Sequence, residues 1–270
     1  MGQSIQDTLV IIRGGGDLAT GVAQKIAHAG FKLIMLETEQ PMMIRRYVSL
    51  GSAVADGKAT VEDITAVLTS EENIEKVWKN GDIPVIVDSK GDIIHTLKPS
   101  IVIDGILAKR NIGTNHSMAP VTIGLGPGFK APDDVDAAIE TMRGHDLGRI
   151  IVNGEPLANT GVPGVIAGKS DERVIYSPAT GRMRYKHHIG DQVQKDSVLF
   201  YLDTTPVLSP LSGTLRGLIA EDTWVEKGLK IADVDPRPNI ACDHISDKAR
   251  AIGGGALDAV LMLGRQKGIL

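Results

Sequence analysis

The sequence predicts an α/β protein in three parts: a parallel-sheet domain, a small all-β module and a C-terminal helix. Three observations carry that prediction. Residues 9–37 run from an apolar stretch through a glycine turn into an amphipathic segment and a second apolar stretch. Residues 177–203 recur at 209–235 in constant register. Residues 247–265 carry apolar side chains at helical spacing behind an N-capping serine, Ser246.

The first element is the glycine turn. Apolar residues 9–12 enter Gly14, Gly15 and Gly16, and the chain leaves as a helix with Leu18, Val22 and Ile26 on one face. Gly30 stops that helix, and residues 31–36 form a second strand ending in Glu37. Strand, glycine turn, helix and strand together are the opening βαβ unit of a Rossmann-like domain. Gly14 and Gly16 carry no Cβ, so a phosphate can approach the backbone there. Ala19 is small enough for the helix to pack on the strand, and the first-turn N–H groups face an anion. Glu37 lies where an acidic side chain accepts hydrogen bonds from a ribose. Asp17, at the expected N-cap, competes for the same N–H groups. Two readings therefore stand, a phosphate cradle and a turn that serves close packing.

Beyond the second strand, Arg45 and Arg46 are either phosphate contacts or a solvated pair, with Glu39 as a salt-bridge partner. Residues 49–55 read as a short strand or turn. Thr60 and Asp63 open a predicted helix whose inner face is Val61, Ile64, Val67 and Leu68. A further helix covers 71–79, a buried strand covers 84–87 up to Asp88, and a short helix covers 92–97. Residues 101–103 form a strand ending in Asp104, and 121–125 form another, followed by Gly126-Pro127-Gly128. Strands alternating with helices imply a parallel sheet, whose ligands bind at the carboxyl ends of the strands. Asp88, Asp104, Gly126 and Gly128 all fall at such ends. The two aspartates read as ligand contacts or as turn formers, and the 109–111 and 126–128 loops are expected to converge. A helix over 132–143 and a strand over 150–152 complete this domain, 1–152. The Gly-, Pro- and Asn-rich stretch 153–172 is the predicted linker.

In the repeat, Ser177, Pro178, Gly181, Arg184, Val193, Lys195 and Asp203 fall on Ser209, Pro210, Gly213, Arg216, Val225, Lys227 and Asp235. No insertion interrupts the register, which marks an internal duplication. Each half alternates apolar positions between Gly or Asp turns. The SP-x-x-G openings and the G-D-x-V-x-K turn resemble the biotinyl/lipoyl-type barrel-sandwich hybrid, so the module 173–238 is expected to take that form. Carrier members of that family hold their prosthetic group on a lysine in the central hairpin, and 202–207 contains none. His187 and His188 are adjacent on a strand pattern, which directs them to opposite faces and points to exposed turn positions. The tail, 239–270, returns to helix. Its Gly253-Gly254-Gly255 run is expected to pack closely on the sheet domain, since glycine inside a helix is otherwise costly. Cys242 precedes it, either an ordinary small residue or a thiol near a site.

Composition narrows the function. Of 270 residues, 42% are hydrophobic and 23% charged, ordinary for a globular protein, and the formal net charge is −4. With 3% aromatics and no basic stripe, a nucleic-acid partner is excluded. A single cysteine rules out an intramolecular disulfide and an all-cysteine metal centre, and no metal site is predicted. No signal-like N-terminus and no membrane-length apolar run are visible, so no membrane contact and a cytoplasmic location are expected.

The segments GGGDLATGVA (14–23), Ile44-Arg45-Arg46, VIDGILAKRN (102–111), GLGPGF (124–129), RGHDLGR (143–149), NTGVPG (159–164) and SDKARAIGGGALDAVL (246–261) resemble the YqeB-type accessory proteins of selenium-dependent molybdenum hydroxylases. The glycine turn is also similar to that of the XdhC-type maturation factors. The resemblance implies an accessory or maturation protein that binds a molybdenum cofactor, or a nucleotide such as NAD(P), in the sheet crevice. It implies a molybdenum hydroxylase subunit as partner, with homo-oligomers as a further expectation. Gly14, Gly15, Gly16, Asp17 and Ala19 would meet the phosphate, Glu37, Arg45 and Arg46 the distal groups, and Asp88, Asp104, Gly126 and Gly128 would line the crevice. The cysteine-bearing segment of the XdhC-type factors is not visible ahead of the turn, so a sulfur-carrying role does not carry over. The alternative is an NAD(P)-dependent oxidoreductase, which needs a general acid or base that no residue commits to. His116 is the one histidine near the crevice segments.

Overall fold

The computed structural model describes residues 4–162 and 164–270. Residues 1–3 of the expected first domain and residue 163 of the expected linker lie outside them. The chain forms two compact units. One runs to Pro41, resumes over Ser49–Asn159 and closes with Ile245–Leu270, and the other comprises Met42–Val48 and Thr160–His244.

In the first unit β1 (Leu9–Arg13) leads through the glycine turn into α1 (Asp17–His28) and β2 (Lys32–Glu37). Val10, Ile11 and Ile12 are fully buried, as are Val22 and Ile26 on the inner face of α1. Gly30 ends the helix at φ +89°, a left-handed conformation that glycine adopts without strain. Then follow α2 (Ala53–Asp56), β3 (Lys58–Val61), β4 (Ile64–Leu68), α3 (Ile74–Lys79), β5 (Ile83–Val87), α4 (Ile93–Leu97) and β6 (Ile101–Asp104). The strands β7 (Val121–Leu125), β8 (Ala137–Ile139) and β9 (Ile150–Ile151) complete the sheet, and α5 (Asp247–Gln266) returns from the far end of the chain. The nine-stranded order is β3-β4-β5-β2-β1-β6-β7-β8-β9. Strands from β4 to β8 are parallel, and β3 and β9 are antiparallel edges. The order turns back between β1 and β6, which creates a switch point at their carboxyl ends.

Two expected helices are strands, for physical reasons. Residues 60–68 form the β3–β4 hairpin, with Lys58 opposite Val67 and Val61 opposite Ile64. Thr60, Val61, Ile64, Thr65 and Val67 are β-branched and favour the pleated surface, and Glu62 turns the chain at φ +53°. Residues 132–143 hold β8 instead of a helix. Their acids are spent elsewhere: Asp134 accepts from the Lys130 N–H at 2.9 Å, and Asp136 accepts from the Thr122 N–H at 2.8 Å. Residues 49–55 are a 3-10 turn running into α2, neither strand nor open turn.

The loops 105–120 and 126–136 contain no helix among the described residues, so no crossover helix covers β7 and β8 on that side. Helix α5 takes that place, lying against α1, β7, β8 and β9. Ser246 caps it, its hydroxyl accepting from the Ala249 N–H at 3.1 Å. The glycine run does pack closely. A Cβ at Gly253 would stand 2.4 Å from the Gly21 carbonyl oxygen, one at Gly255 1.9 Å from that of Gly148, and one at Gly21 2.5 Å from that of Ala249.

The second unit contains β10 (Val174–Tyr176), β11 (Gly181–Tyr185), β12 (Gln192–Val193), β13 (Val198–Leu202), β14 (Thr205–Leu208), β15 (Gly213–Leu218), β16 (Trp224–Val225) and β17 (Lys230–Asp235). It forms two four-stranded sheets, β10-β17-β15-β12 and β14-β13-β11-β16. The duplication is visible in space. Replacing each strand by its repeat counterpart converts one sheet order into the other, and each sheet draws strands from both halves. Met183, Leu199, Phe200, Leu202, Leu215, Leu218, Val225 and Val234 fill the core.

The expected fold class is therefore corrected. The first unit is a mixed α/β sheet with a large parallel part and antiparallel edges, not a uniformly parallel Rossmann-like sheet. Strands dominate the second unit, and its two sheets do not show a biotinyl/lipoyl-like barrel-sandwich hybrid. Opening motifs and turn spacing specify strands and a repeat, but strand pairing is set by contacts between the halves.

Candidate functional site

The three glycines of the turn do different things. Gly14, at φ +91°, sits where a Cβ would stand 3.0 Å from the backbone of Gly105 and Ile106. Gly105 in turn leaves room for the Cβ of Ala19, 2.9 Å from where its own would lie. These residues close the switch point by packing. Gly15 is also enclosed, since its Cβ would lie 2.7 Å from the backbone of Gly51, whose N–H donates to the Gly15 carbonyl at 2.9 Å. Gly16 alone is open. It is the N-cap of α1, at φ −67°, and a Cβ there would have no described atom within 4 Å. Asp17 is the first residue of the helix and not its cap, which corrects the expectation for that side chain.

Glu37 is turned onto the glycine turn itself. One carboxylate oxygen accepts from the Gly15 N–H at 2.7 Å and the other from the Thr38 N–H at 2.9 Å. Burial pushes its pKa up, with these two hydrogen bonds opposing. One lone pair on each oxygen holds the loop.

The carboxyl ends of β1 and β6 carry a buried cluster. Asp104, 1% exposed, accepts from the Thr114 hydroxyl at 2.5 Å and the Ile106 N–H at 3.0 Å. The Arg13 guanidinium lies 3.5 Å away and donates to the Thr114 hydroxyl. Burial raises the Asp104 pKa against these contacts. Arg13 escaped the sequence reading, and its signal is a charge closing an apolar strand directly before the turn. Asp88 accepts from Gly91 and Ile93 N–H groups at 2.8 and 2.9 Å, which makes it the organiser of the turn into α4. The 126–128 and 109–111 loops do converge: a Cβ at Gly128 would lie 2.5 Å from the Arg110 Cα, and one at Gly126 2.6 Å from the Thr141 hydroxyl.

Arg45 and Arg46 belong to the second unit, not to the sheet that carries the glycine turn. The Ile44 carbonyl accepts from the Leu218 N–H at 2.8 Å, and Arg46 donates to the Tyr185 hydroxyl at 3.3 Å. His116 sits in a loop, its Nε2 2.8 Å from the Pro132 carbonyl oxygen.

Sequence reading also missed Lys248 and Glu140. Lys248, on the first turn of α5, is half-buried and makes no hydrogen bond or ion pair among the described residues. Desolvation and the neighbouring Arg143 lower its pKa, while Asp17 and Glu140 oppose that shift. It therefore stands within electrostatic reach of the N-terminus of α1. Its place depends on the close crossing of α1 and α5, which local sequence does not announce. Glu140, buried, accepts from Met142 and Leu157 N–H groups at 2.6 and 2.7 Å and pins the loops below. Among the described residues no group of three His, Cys, Asp or Glu side chains is placed to hold a metal ion. No helix among them is long and apolar enough to cross a membrane.

No family model matches the sequence. The chain is 50% identical over 260 residues, 96% of its length, to the uncharacterized protein YqeB of Escherichia coli (strain K12). It spans 48% of that curated relative. A likeness of this extent supports a YqeB-type chain. Among solved structures it is similar to an aspartoacylase family protein of Mesorhizobium loti, at 11% identity and a TM-score of 0.26, covering 89% of this chain and 87% of that one. It is also similar to a TcdA (CsdL) chain, at 11% identity and a TM-score of 0.32, covering 97% and 90%. Neither is described as a barrel-sandwich protein, and at these TM-scores neither carries an argument.

Proposed function

We propose that this YqeB-type chain is an accessory protein in the maturation of a selenium-dependent molybdenum hydroxylase. In this reading it holds a molybdopterin-type cofactor or a nucleotide by its phosphate at the carboxyl edge of the sheet. The maturation role rests on the sequence resemblance. The ligand rests on one observation, the open side of the glycine turn at Gly16. There the N–H groups of the first turn of α1 have no intrahelical partner and the helix dipole favours an anion. Lys248, within electrostatic reach of Asp17 at that helix end, supplies the positive charge a phosphate needs. Gly14, Gly15 and Ala19 then act as packing residues that hold Gly16 in position.

The NAD(P)-dependent oxidoreductase is disfavoured on two counts. Glu37 is engaged by the Gly15 and Thr38 N–H groups instead of facing a ribose. His116, the one histidine near the crevice segments, is bonded to a loop carbonyl and no residue commits to the acid or base role.

Thermal shift on wild type and Gly16→Val tests the reading, with molybdenum cofactor released anaerobically, mononucleotides, NAD and NADP as ligands. A ligand of the native state raises the midpoint by mass action. Gly16 has a φ that any residue adopts and open space around it, so Gly16→Val is expected to fold normally and to lose the shift. Stabilisation by the molybdenum cofactor in wild type alone supports the proposal. A dinucleotide as the sole stabiliser would favour the oxidoreductase, and an equal shift in Gly16→Val would remove the glycine turn from the site.

A further inference from the structure

The chain that follows β2 returns to the glycine turn at Leu50–Ser52. A dinucleotide bound at such a turn lays its pyrophosphate on the helix N-terminus and its ribose beside the acidic residue that ends the second strand. In this structure the chain itself fills that second place. Residues Leu50–Ser52 form a 3-10 turn, and all three are buried. The Gly51 N–H donates to the Gly15 carbonyl at 2.9 Å. The Leu50 N–H donates to the Thr20 hydroxyl at 2.9 Å, and that hydroxyl donates to the Gly15 carbonyl at 3.4 Å.

Glu37 approaches the same glycine from the end of β2, its carboxylate accepting from the Gly15 N–H at 2.7 Å. A Cβ at Gly15 would lie 2.7 Å from the Gly51 Cα and 3.3 Å from the Glu37 Cγ. Gly15 is thus held by the strand end and the 3-10 turn together, with its N–H and its carbonyl both bonded. The contact with Gly51 is backbone against backbone, so no side-chain rotation opens it. Leu50 is fully buried and Ser49 is 1% exposed, which sets this turn in the core and not on a surface loop. One residue further on the surroundings change, since a Cβ at Gly16 would meet no described atom within 4 Å. The two halves of a dinucleotide site are therefore unlike here. The phosphate half is open, and the ribose half is occupied.

We infer that the open half takes a phosphate that ends its molecule, a monoester such as a mononucleotide or a pterin phosphate. The same molecule extended through a diphosphate to a second nucleoside is rejected. This inference rests on the phosphate reading of Gly16 given above and narrows its ligand. A terminal phosphate needs only the N–H groups at the start of α1, and the rest of its molecule leads away from Gly15. An adenylyl extension has to displace the Leu50–Ser52 turn, which breaks the Gly51 and Leu50 hydrogen bonds in a buried place. Gly51 and Thr20 are then the specificity-determining residues, Gly51 by its contact with Gly15 and Thr20 by holding the turn.

Isothermal titration calorimetry on the full chain tests it with two pairs of probes, FMN with FAD, and hydroxymethylpterin phosphate with its adenylylated diphosphate. In each pair the second member is the first with one adenylyl group added. In wild type at least one monoester is expected to bind, and its extended partner about tenfold or more weakly, the effect of a buried hydrogen bond left unmade. Thr20→Val keeps the side-chain shape but removes the hydroxyl that holds Leu50, and is expected to narrow that ratio. Its melting midpoint without ligand reports that it folds, and the comparison in wild type depends on no variant. An extended probe that binds as tightly as its monoester or tighter, with binding lost in Gly16→Val, keeps the phosphate site and overturns this inference. An unchanged ratio in folded Thr20→Val overturns the role of the turn. Binding of no probe, or binding that Gly16→Val leaves intact, overturns the phosphate reading and this inference with it.

Discussion

Arg184 and Arg216 occupy equivalent places in the two halves of the second unit, on strands with the same neighbours in the same order. The first lies half in solvent against Asp222. The second is folded inward among Arg173, Asp233 and Asp235. The differences that separate them include the bulge at Arg216, and Asp233 standing where the first half has Tyr201. A duplicated framework thus supports an ordinary surface pair in one copy and a desolvated charge cluster in the other. Strand order is shared, but local register and the side chains that differ between the halves decide which arginine is buried.

The sharpest test of this contrast is Asp233→Ala. It leaves two buried guanidiniums without their shared carboxylate, and breaking a buried pair costs about 3–5 kcal/mol. Urea unfolding is expected to show that loss, and a much smaller one for Asp222→Ala. Equal losses would erase the distinction between the halves. Next in size is a pair of glycine variants at equivalent positions. A Cβ at Gly213 would lie 2.1 Å from the Asp235 carbonyl oxygen, which is backbone and cannot yield. At Gly181 the nearest atom, at 2.9 Å, is the end of the Asp203 side chain. Gly213→Ala is therefore expected to cost about 1–3 kcal/mol and Gly181→Ala less, read from the same unfolding curves.

Acid titration refines the comparison further. Burial pushes the Asp235 carboxyl up, but hydrogen bonds from Arg237 and the charges of Arg237 and Arg216 outweigh it, so the group is held below the ordinary carboxylate value. A depressed pKa contributes stability that is complete above the unfolded value and lost as pH falls through the folded one. Asp235→Asn is expected to lower stability at neutral pH and to flatten its decline below about pH 4. An unchanged acid limb in midpoint against pH would show that Asp235 contributes nothing there. Arg184→Ala is the smallest effect, about 0–1 kcal/mol for an exposed pair, and is expected to vanish in high salt.

Much of the fold was legible in the chain. The β1–α1–β2 unit, the strands β5, β6 and β7 and the cap of α5 each have a local determinant, whether an apolar run, a glycine at positive φ or a serine at the N-cap. The hairpin at 58–68 was not, because Val61, Ile64 and Val67 suit a helical stripe as well as two strands joined at Glu62 and Asp63. The segment at 132–143 misled because acids that flatter a helix N-terminus also cap neighbouring backbone. At the candidate site the glycine turn was visible, but the division of labour within it was not. Gly51 and Gly105 arrive from distant segments to enclose Gly15 and Gly14, and only their absence beside Gly16 leaves that residue open. Lys248 depends likewise on the crossing of α1 with α5.

By itself, then, the sequence determined what is local or periodic: where glycine must turn the chain, which runs bury a face, and that the second half repeats in register. Tertiary structure alone decided what depends on who arrives next to whom. It sealed two of three adjacent glycines, turned Glu37 onto its own loop, assigned Arg45 and Arg46 to the second unit, and buried one of two equivalent arginines. The reason is physical. Backbone preference and hydrophobic periodicity act within a few residues, whereas desolvation and close packing depend on groups that only folding brings together.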